Sequence, residues 1–294
     1  MAFGKGKESN GANGSFKKYI GIGMFEIAAI NPTAKELTEL FGREQTQEPV
    51  YVQDKDDHKV ATVSVYLRNV SEAVNSNFIV KVNFRLENIV RRGKETGTVK
   101  VIDKYGNCRW IPEENYKNRT VPTDNNGNKV LLDEGYRACC GDEDLLIALL
   151  RAYMVYDRVD EYVNGIWVFK SKDKLVDLES SLEKIRDYFN GDFSELREII
   201  AMQPHNKFQA LLGVRTADDG KEYQDVFKHA FMQYWENKTN NLEYQLDRNK
   251  AYSYPNTRFE IAPIHEFTTV ITPTDLTAGV VDVATDNPDD DLPF

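Results

Sequence analysis

The sequence predicts a mainly β protein with α insertions (α+β), built on a small antiparallel barrel. Three observations carry this. Residues 59–68 and 78–86 alternate apolar and polar side chains with the period of two that places successive residues on opposite faces of a strand. The apolar run 19–30 contains Gly21 and Gly23, which permit the sharp bend or bulge that a small barrel needs at its corners. Apolar residues three and four apart become prominent only later, in the section 142–202.

Each element has its own local reason. Residues 1–18 form a basic N-terminal arm: Gly4, Gly6, Gly11 and Gly14 alternate with Lys5 and Lys7, and no periodic apolar residues offset the entropy of ordering them. The first strand, 19–30, stops at Asn31-Pro32-Thr33, where Asn31 or Thr33 can cap a short helix over 34–41 that Gly42 ends. In the second strand Val63, Val65 and Leu67 point one way and Thr62, Ser64, Tyr66 and Arg68 the other, so one face should be wet. In the third, Phe78, Val80, Val82, Phe84 and Leu86 share one face, opposite Ile79, Lys81, Asn83 and Arg85. A hairpin follows over 98–111, turning at Tyr105-Gly106-Asn107.

Helices are expected over 142–155, 172–189 and 193–202, the first with Asp142, Glu143 and Asp144 at the positive end of its dipole. Strand patterning returns at 207–216, turns at Ala217-Asp218-Asp219-Gly220, continues through 222–235 as strand or mixed structure, and closes at 258–264. The core is thus 19–270 with a helical insertion at about 142–202. Residues 271–294 read as a disordered acidic tail.

Composition narrows the function. With 294 residues, 41% hydrophobic and 29% charged, the chain can bury a substantial core. No apolar stretch approaches the roughly 18 residues needed to cross a bilayer, and the N-terminus lacks a secretory h-region. A cytoplasmic protein that does not contact membrane is expected. Cys108, Cys139 and Cys140 cannot make a fully paired framework, which fits reduced thiols. His58, His205, His229 and His265 are scattered and no C-x-x-C occurs, so neither a metal nor a cofactor is expected. Phosphate-loop, dinucleotide, zinc-protease and serine-hydrolase motifs are all missing. Asp54, Asp56, Asp57 and His58 read as a solvated turn, and Cys139 and Cys140 as packing residues.

The net charge of −10 is unevenly distributed. Residues 59–119 hold 12 basic and 6 acidic side chains, whereas residues 259–294 hold 8 acidic and no basic ones. Such polarity fits a basic surface for a polyanion beside an acidic tail that competes for it, or equally a solvated sheet surface. Tyr66, Arg68, Lys81, Asn83, Arg85, Lys100, Tyr105, Arg109 and Trp110 form the candidate DNA-binding set. Cations track the phosphates of a single strand and aromatic faces stack its bases, at about 1–3 kcal/mol per base.

The chain closes with Asp289, Asp290, Asp291, Leu292, Pro293 and Phe294, which is similar to the terminal peptide of bacterial single-stranded DNA-binding proteins. Leu292 and Phe294 can fill an apolar pocket while the carboxylates meet a basic rim, giving a partner-binding tip. Ile30-Asn31-Pro32-Thr33 with Glu36 and Leu37, Tyr136-Arg137 with Gly141, Glu143 and Leu145, and Lys221 with Tyr223, Gln224 and Val226 resemble segments of bacteriophage single-stranded DNA-binding proteins. The resemblance spans most of the chain as short motifs. It implies an OB-fold-like five-stranded barrel elaborated by a helical section, a DNA groove across the barrel, and a tail that recruits replication, recombination and repair proteins in the infected bacterial cytoplasm. The body is about twice the size of the bacterial protein, so the oligomeric state does not carry over. A non-catalytic DNA-coating protein is the expectation. The alternatives are a nuclease-like DNA-processing enzyme, or a scaffold that uses only the tail.

Overall fold

The computed structural model describes residues 17–93, 97–103, 106–119, 129, 132, 135–153, 161–163, 166–168, 182–202, 205–233, 242–243, 246, 254 and 256–268. In chain order these form β1 (Lys18–Ile30), α1 (Ala34–Phe41), β2 (Val52–Asp54), β3 (Lys59–Asn69), β4 (Ile79–Glu87), β5 (Thr98–Ile102), β6 (Cys108–Pro112), α2 (Glu113–Asn118), β7 (Arg137–Ala138) and α3 (Glu143–Tyr153). Then come β8 (Glu161–Val163), β9 (Ile166–Val168), α4 (Leu182–Phe189), α5 (Ser194–Met202), β10 (Phe208–Thr216), β11 (Glu222–Gln233), β12 (Thr257–Phe259) and β13 (His265–Phe267). The tail 271–294, its tip 289–294, Tyr105 and all but the last two residues of the arm lie outside the described residues. Those last two join the body: Lys18 opens β1, and Lys17 Nζ meets Glu266 at 2.8 Å.

The chain is mainly β, as its alternation predicts. Five long strands lie in the order β11-β10-β1-β3-β4, every pairing antiparallel, with β2, β12 and β13 added beside β3, β10 and β1. The first strand therefore sits in the middle of the sheet. Its Gly21–Phe25 half pairs with β10 and its Phe25–Ile30 half with β3, across a bulge between Ile27 and Ala29. Gly21 adopts φ +110, and a Cβ there would meet the Ala262 carbonyl oxygen at 2.7 Å, so glycine is required where the C-terminal segment crosses the strand.

The sheet remains open. No main-chain pairing joins β4 to β11 among the described residues, yet the two outer strands approach: Lys228 Nζ on β11 donates to the Asn83 carbonyl on β4 at 3.2 Å, and the Phe84 and Phe231 rings are 6.4 Å apart. The N-terminus of α3 lies at this seam, with the Asp142 amide donating to the Arg85 carbonyl at 2.9 Å.

One sheet face makes the main core. Phe25, Val63, Val65, Leu67, Val82, Phe84, Leu86 and Phe208 pack there with Leu149 and Tyr153 of α3 and with Tyr188, Phe189, Phe193 and Leu196 of the α4–α5 region. Phe25, Phe84 and Phe208 are fully buried, and each stabilises the fold by roughly 1.5–3 kcal/mol. On the other face, Leu211 and Phe227 form a second core with Leu242, Leu246, Phe259 and Ile261. β5, β6 and β7 make a separate small sheet in the order β6-β5-β7.

Local chemistry explains several boundaries. Thr33 accepts from the Glu36 amide while Glu36 accepts from the Thr33 amide, a reciprocal cap for α1, and Gly42 ends the helix in the left-handed region at φ +63. Asn31 takes φ +43 and continues the β1–β3 seam through its side chain, accepting from the Ser64 amide at 2.6 Å and donating to the Thr62 carbonyl at 3.1 Å. Within the section expected to be helical, β8 and β9 form an antiparallel hairpin instead. Among the described residues no helix is long and apolar enough to cross a membrane.

Candidate nucleic-acid interface

The expected binding set divides between the two sheets. Tyr66 and Arg68 on β3 and Lys81, Asn83 and Arg85 on β4 share the face opposite the main core, with Tyr66 directly across from Lys81, Ser64 from Asn83 and Thr62 from Arg85. Lys81, Asn83 and Arg85 are exposed, so a lane of polar side chains repeats every second residue, roughly every 6.7 Å, along the outer strand.

The β3 half of this face departs from expectation. Ser64 and Tyr66 are buried, because an inner strand is flanked on both edges and α1 covers it: the Phe41 ring meets the Tyr66 ring edge-on at 5.9 Å. Burial raises the Tyr66 hydroxyl pKa, and although the Lys81 side chain as a whole is exposed, partial desolvation of its ammonium, 5.6 Å from the centre of the Tyr66 ring, lowers its pKa. Ser64 Oγ donates to Asn83 Oδ1 at 2.9 Å, which fixes the asparagine side chain. Arg68 pairs with the buried Glu26 at 2.8 Å, and Arg85 Nε donates to Glu87 on the same strand. These contacts pre-order the cations and already balance part of their charge.

Lys100, Arg109 and Trp110 lie on the small sheet. Lys100 faces Trp110 across β5 and β6, while Arg109 lies opposite Val101 on the other side. Lys100 points inward: its side chain is 12% exposed and its ammonium meets Asp144 at 2.7 Å. Burial alone would lower its pKa, but the nearby Cys139 and Asp144 outweigh that and raise it. A lysine locked in this way is a structural ion pair, and alternation alone assigns it wrongly to the surface. Arg109 is exposed, and Trp110 is 44% exposed, a large aromatic face open to solvent.

Acidic residues at the start of α3 organise this region. Asp142 accepts from Lys228 at 2.9 Å and from the Arg85 amide at 3.1 Å. Glu143 pairs with Arg137, and Asp144 with Lys100. Periodicity exposes the helix but not these partners, which come from four strands, three of them (β4, β5 and β11) far from it in sequence.

Three further features escaped sequence reasoning. Arg215 and Tyr223 are cross-strand partners beside the turn 217–220, with the guanidinium 5.3 Å from the centre of an exposed ring. Their near-symmetric placement about Asp219-Gly220 is the signal that could have found them. Phe227, His229, Tyr254 and Phe259 form a ring cluster with centroid separations of 5.5–6.1 Å, and Tyr254 is exposed. Burial lowers the His229 pKa, opposed by Asp144 and aided by Lys100 and Lys228. The i, i+2 spacing of Phe227 and His229 on one strand face is its only local trace. Finally, Arg68 and Arg197 line an open cleft of about 460 Å³ together with Glu36 and Glu39, and both arginines already pair with carboxylates, Arg68 with Glu26 and Arg197 with Glu36.

Chemically, the exposed features can contact phosphates and stack bases. The lane on β4, the cleft arginines and the rings of Trp110, Tyr223 and Tyr254 supply cations and aromatic faces. No family model matches the chain, and neither a curated protein nor a solved structure matches it.

Proposed function

We propose that this protein coats single-stranded DNA without catalysing a reaction, acting in bacteriophage replication and recombination within the infected bacterial cytoplasm. The observation that carries the reading is the exposed Lys81-Asn83-Arg85 lane on β4, beside Arg68 and with an exposed Trp110 on the neighbouring sheet. The order β11-β10-β1-β3-β4, with the outer strands meeting at the α3 seam, supports a partly open five-stranded barrel of the OB type. In such a barrel the outer face of the second and third strands holds oligonucleotides; on this reading β3 and β4 take those places, and β4 carries the open part because α1 lies over Tyr66.

The sequence Asp289 to Phe294 supports a second role, recruitment of replication, recombination and repair proteins. An apolar pocket would take Leu292 and Phe294, and a basic rim the three aspartates.

The test is a salt-dependent titration of the full chain with single- and double-stranded oligonucleotides, together with incubation of labelled DNA in Mg²⁺. Preference for the single strand with no cleavage is expected. Cleavage would assign a DNA-processing enzyme instead, and no binding at low salt would leave a scaffold that acts through its tail.

A further inference from the structure

Two of the three cysteines converge although 31 positions separate them in sequence. Cys108 opens β6, Cys139 follows β7, and Asp144 lies in the first turn of α3; their ligand atoms all lie within 4.8 Å of one another. Cys139 Sγ is 3.9 Å from Asp144 Oδ1. A tetrahedral Zn²⁺ with Zn–S near 2.3 Å and Zn–O near 2.0–2.2 Å spaces its donors about 3.5–3.8 Å apart, so small side-chain adjustments would bring these three into register. Ile102 and Ile147 pack against the two cysteines on one side, while Cys108 and Asp144 keep partial access to solvent.

We propose that Cys108, Cys139 and Asp144 form a binding site for one thiophilic divalent ion, Zn²⁺ by chemical class, with Lys100 as its outer partner. Two thiolates and one carboxylate favour Zn²⁺ over Mg²⁺ or Ca²⁺, which take oxygen ligands. Lys100 already donates to the Asp144 carboxylate at 2.7 Å, the kind of outer hydrogen bond that orients a ligating carboxylate. The charges also balance. Binding exchanges two thiol protons for one dication, so the ion, two thiolates, Asp144 and Lys100 together are neutral, as the protonated thiols and the Asp144–Lys100 pair are beforehand. Three protein ligands leave a fourth position for water. The ion would fasten the small sheet to α3, and its binding is independent of whether the protein holds DNA.

The experiment titrates reduced full-length protein with Co²⁺ as a spectroscopic probe and then displaces it with Zn²⁺. A thiolate-to-Co²⁺ charge-transfer band saturating at one ion per chain is expected. It should be lost in Cys108→Ser and Cys139→Ser and kept in Cys140→Ser, whose thiol lies apart beside Arg137 at 3.9 Å. Asp144→Asn should weaken the ion by about tenfold or more. A readout free of folding effects uses the wild type alone: Cys108, the one partly exposed thiol, should react with a thiol-reactive disulfide reagent, and Zn²⁺ should slow that reaction. Absence of the band in the wild type, thiol reactivity unchanged by Zn²⁺, or a band that survives the Cys108→Ser/Cys139→Ser double change would overturn the site. So would a Cys108–Cys139 disulfide that forms on air oxidation equally with and without Zn²⁺.

Discussion

The Lys81 ammonium lies over the face of the Tyr66 ring, its direct cross-strand neighbour, at 5.6 Å from the ring centre. That single relationship assigns different roles to two residues that look equivalent in the sequence. Tyr66 is closed in by Phe41 and Lys81 and positions the lysine, whereas Lys81 itself stays on the exposed side of β4, where the proposed DNA lane runs.

Charge on the β4 lane should therefore be measurable as salt dependence. Each phosphate contacted contributes about −0.7 to the log–log slope of single-strand affinity against salt. Lys81→Ala with Arg85→Ala should weaken binding and flatten the slope by one to two such increments, about equally for all sequences. An unchanged slope in a folded double variant would move the groove away from β4.

Stacking should be separable from charge. Trp110→Ala is expected to cost on the order of 1–3 kcal/mol of binding at any salt, and oligonucleotide should quench the fluorescence that Trp110 contributes. Trp167 and Trp235 also emit, so Trp→Phe variants at all three positions are compared. A quench that persists undiminished in Trp110→Phe would exclude the ring from contact.

The tail should act through its charge and its tip independently. Removing residues 271–294 takes away Asp275, Asp282, Asp286 and Asp289–Asp291, and should tighten DNA binding at low salt, the gain shrinking toward 1 M where the Debye length is about 3 Å. Deleting Phe294 alone should leave DNA affinity near wild type and abolish capture of a partner enzyme in a pull-down. Equal DNA affinities with and without the tail at low salt would rule out the competition.

Gly141 offers a test of how the helix is seated on the sheet. It holds φ +65, and a Cβ there would overlap the Arg85 carbonyl oxygen, which accepts the Asp142 amide. Gly141→Ala should destabilise the fold by on the order of 2–4 kcal/mol, read as a lower urea midpoint at unchanged m-value. A shift below about 0.5 kcal/mol would mean that the seam yields easily.

Asp142 should register as acid sensitivity. Burial would raise its pKa, but the hydrogen bond and charge of Lys228, the Arg85 amide and Arg91 outweigh burial and hold it below the ordinary value. A depressed folded pKa stabilises above the unfolded value of about 3.9, and that contribution is lost as pH falls through the folded value. Asp142→Asn should therefore lower stability at pH 7 by on the order of 1–3 kcal/mol and reduce the loss seen on going from pH 5 to pH 3. Parallel pH profiles for wild type and variant would contradict this assignment.

Strands were legible wherever one face alone was buried. Val80, Val82, Phe84 and Leu86 alternate cleanly against Lys81, Asn83 and Arg85 because β4 is an outer strand. The same alternation misled on β3, where Tyr66 reads as outward yet α1 lies over it. Periodicity reports which side of a strand a residue occupies and not what later covers that side. The Thr33–Glu36 cap and the Gly42 stop were legible because they are local. Lys100 was not, since its partner Asp144 is far along the chain. For the same reason, spacing rules tuned to contiguous motifs pass over Cys108, Cys139 and Asp144.

The central placement of β1 also sets an order of events during synthesis. Its Phe25–Ile30 half finds β3 within a few dozen residues, but its Gly21–Phe25 half waits for β10, roughly 180 residues later. At a synthesis rate of about 5–20 residues per second, that edge stays unsatisfied for some ten seconds or more. Nascent chains should thus pass through a half-sheet with an open, apolar edge, and holdase chaperones would engage them until β10 emerges.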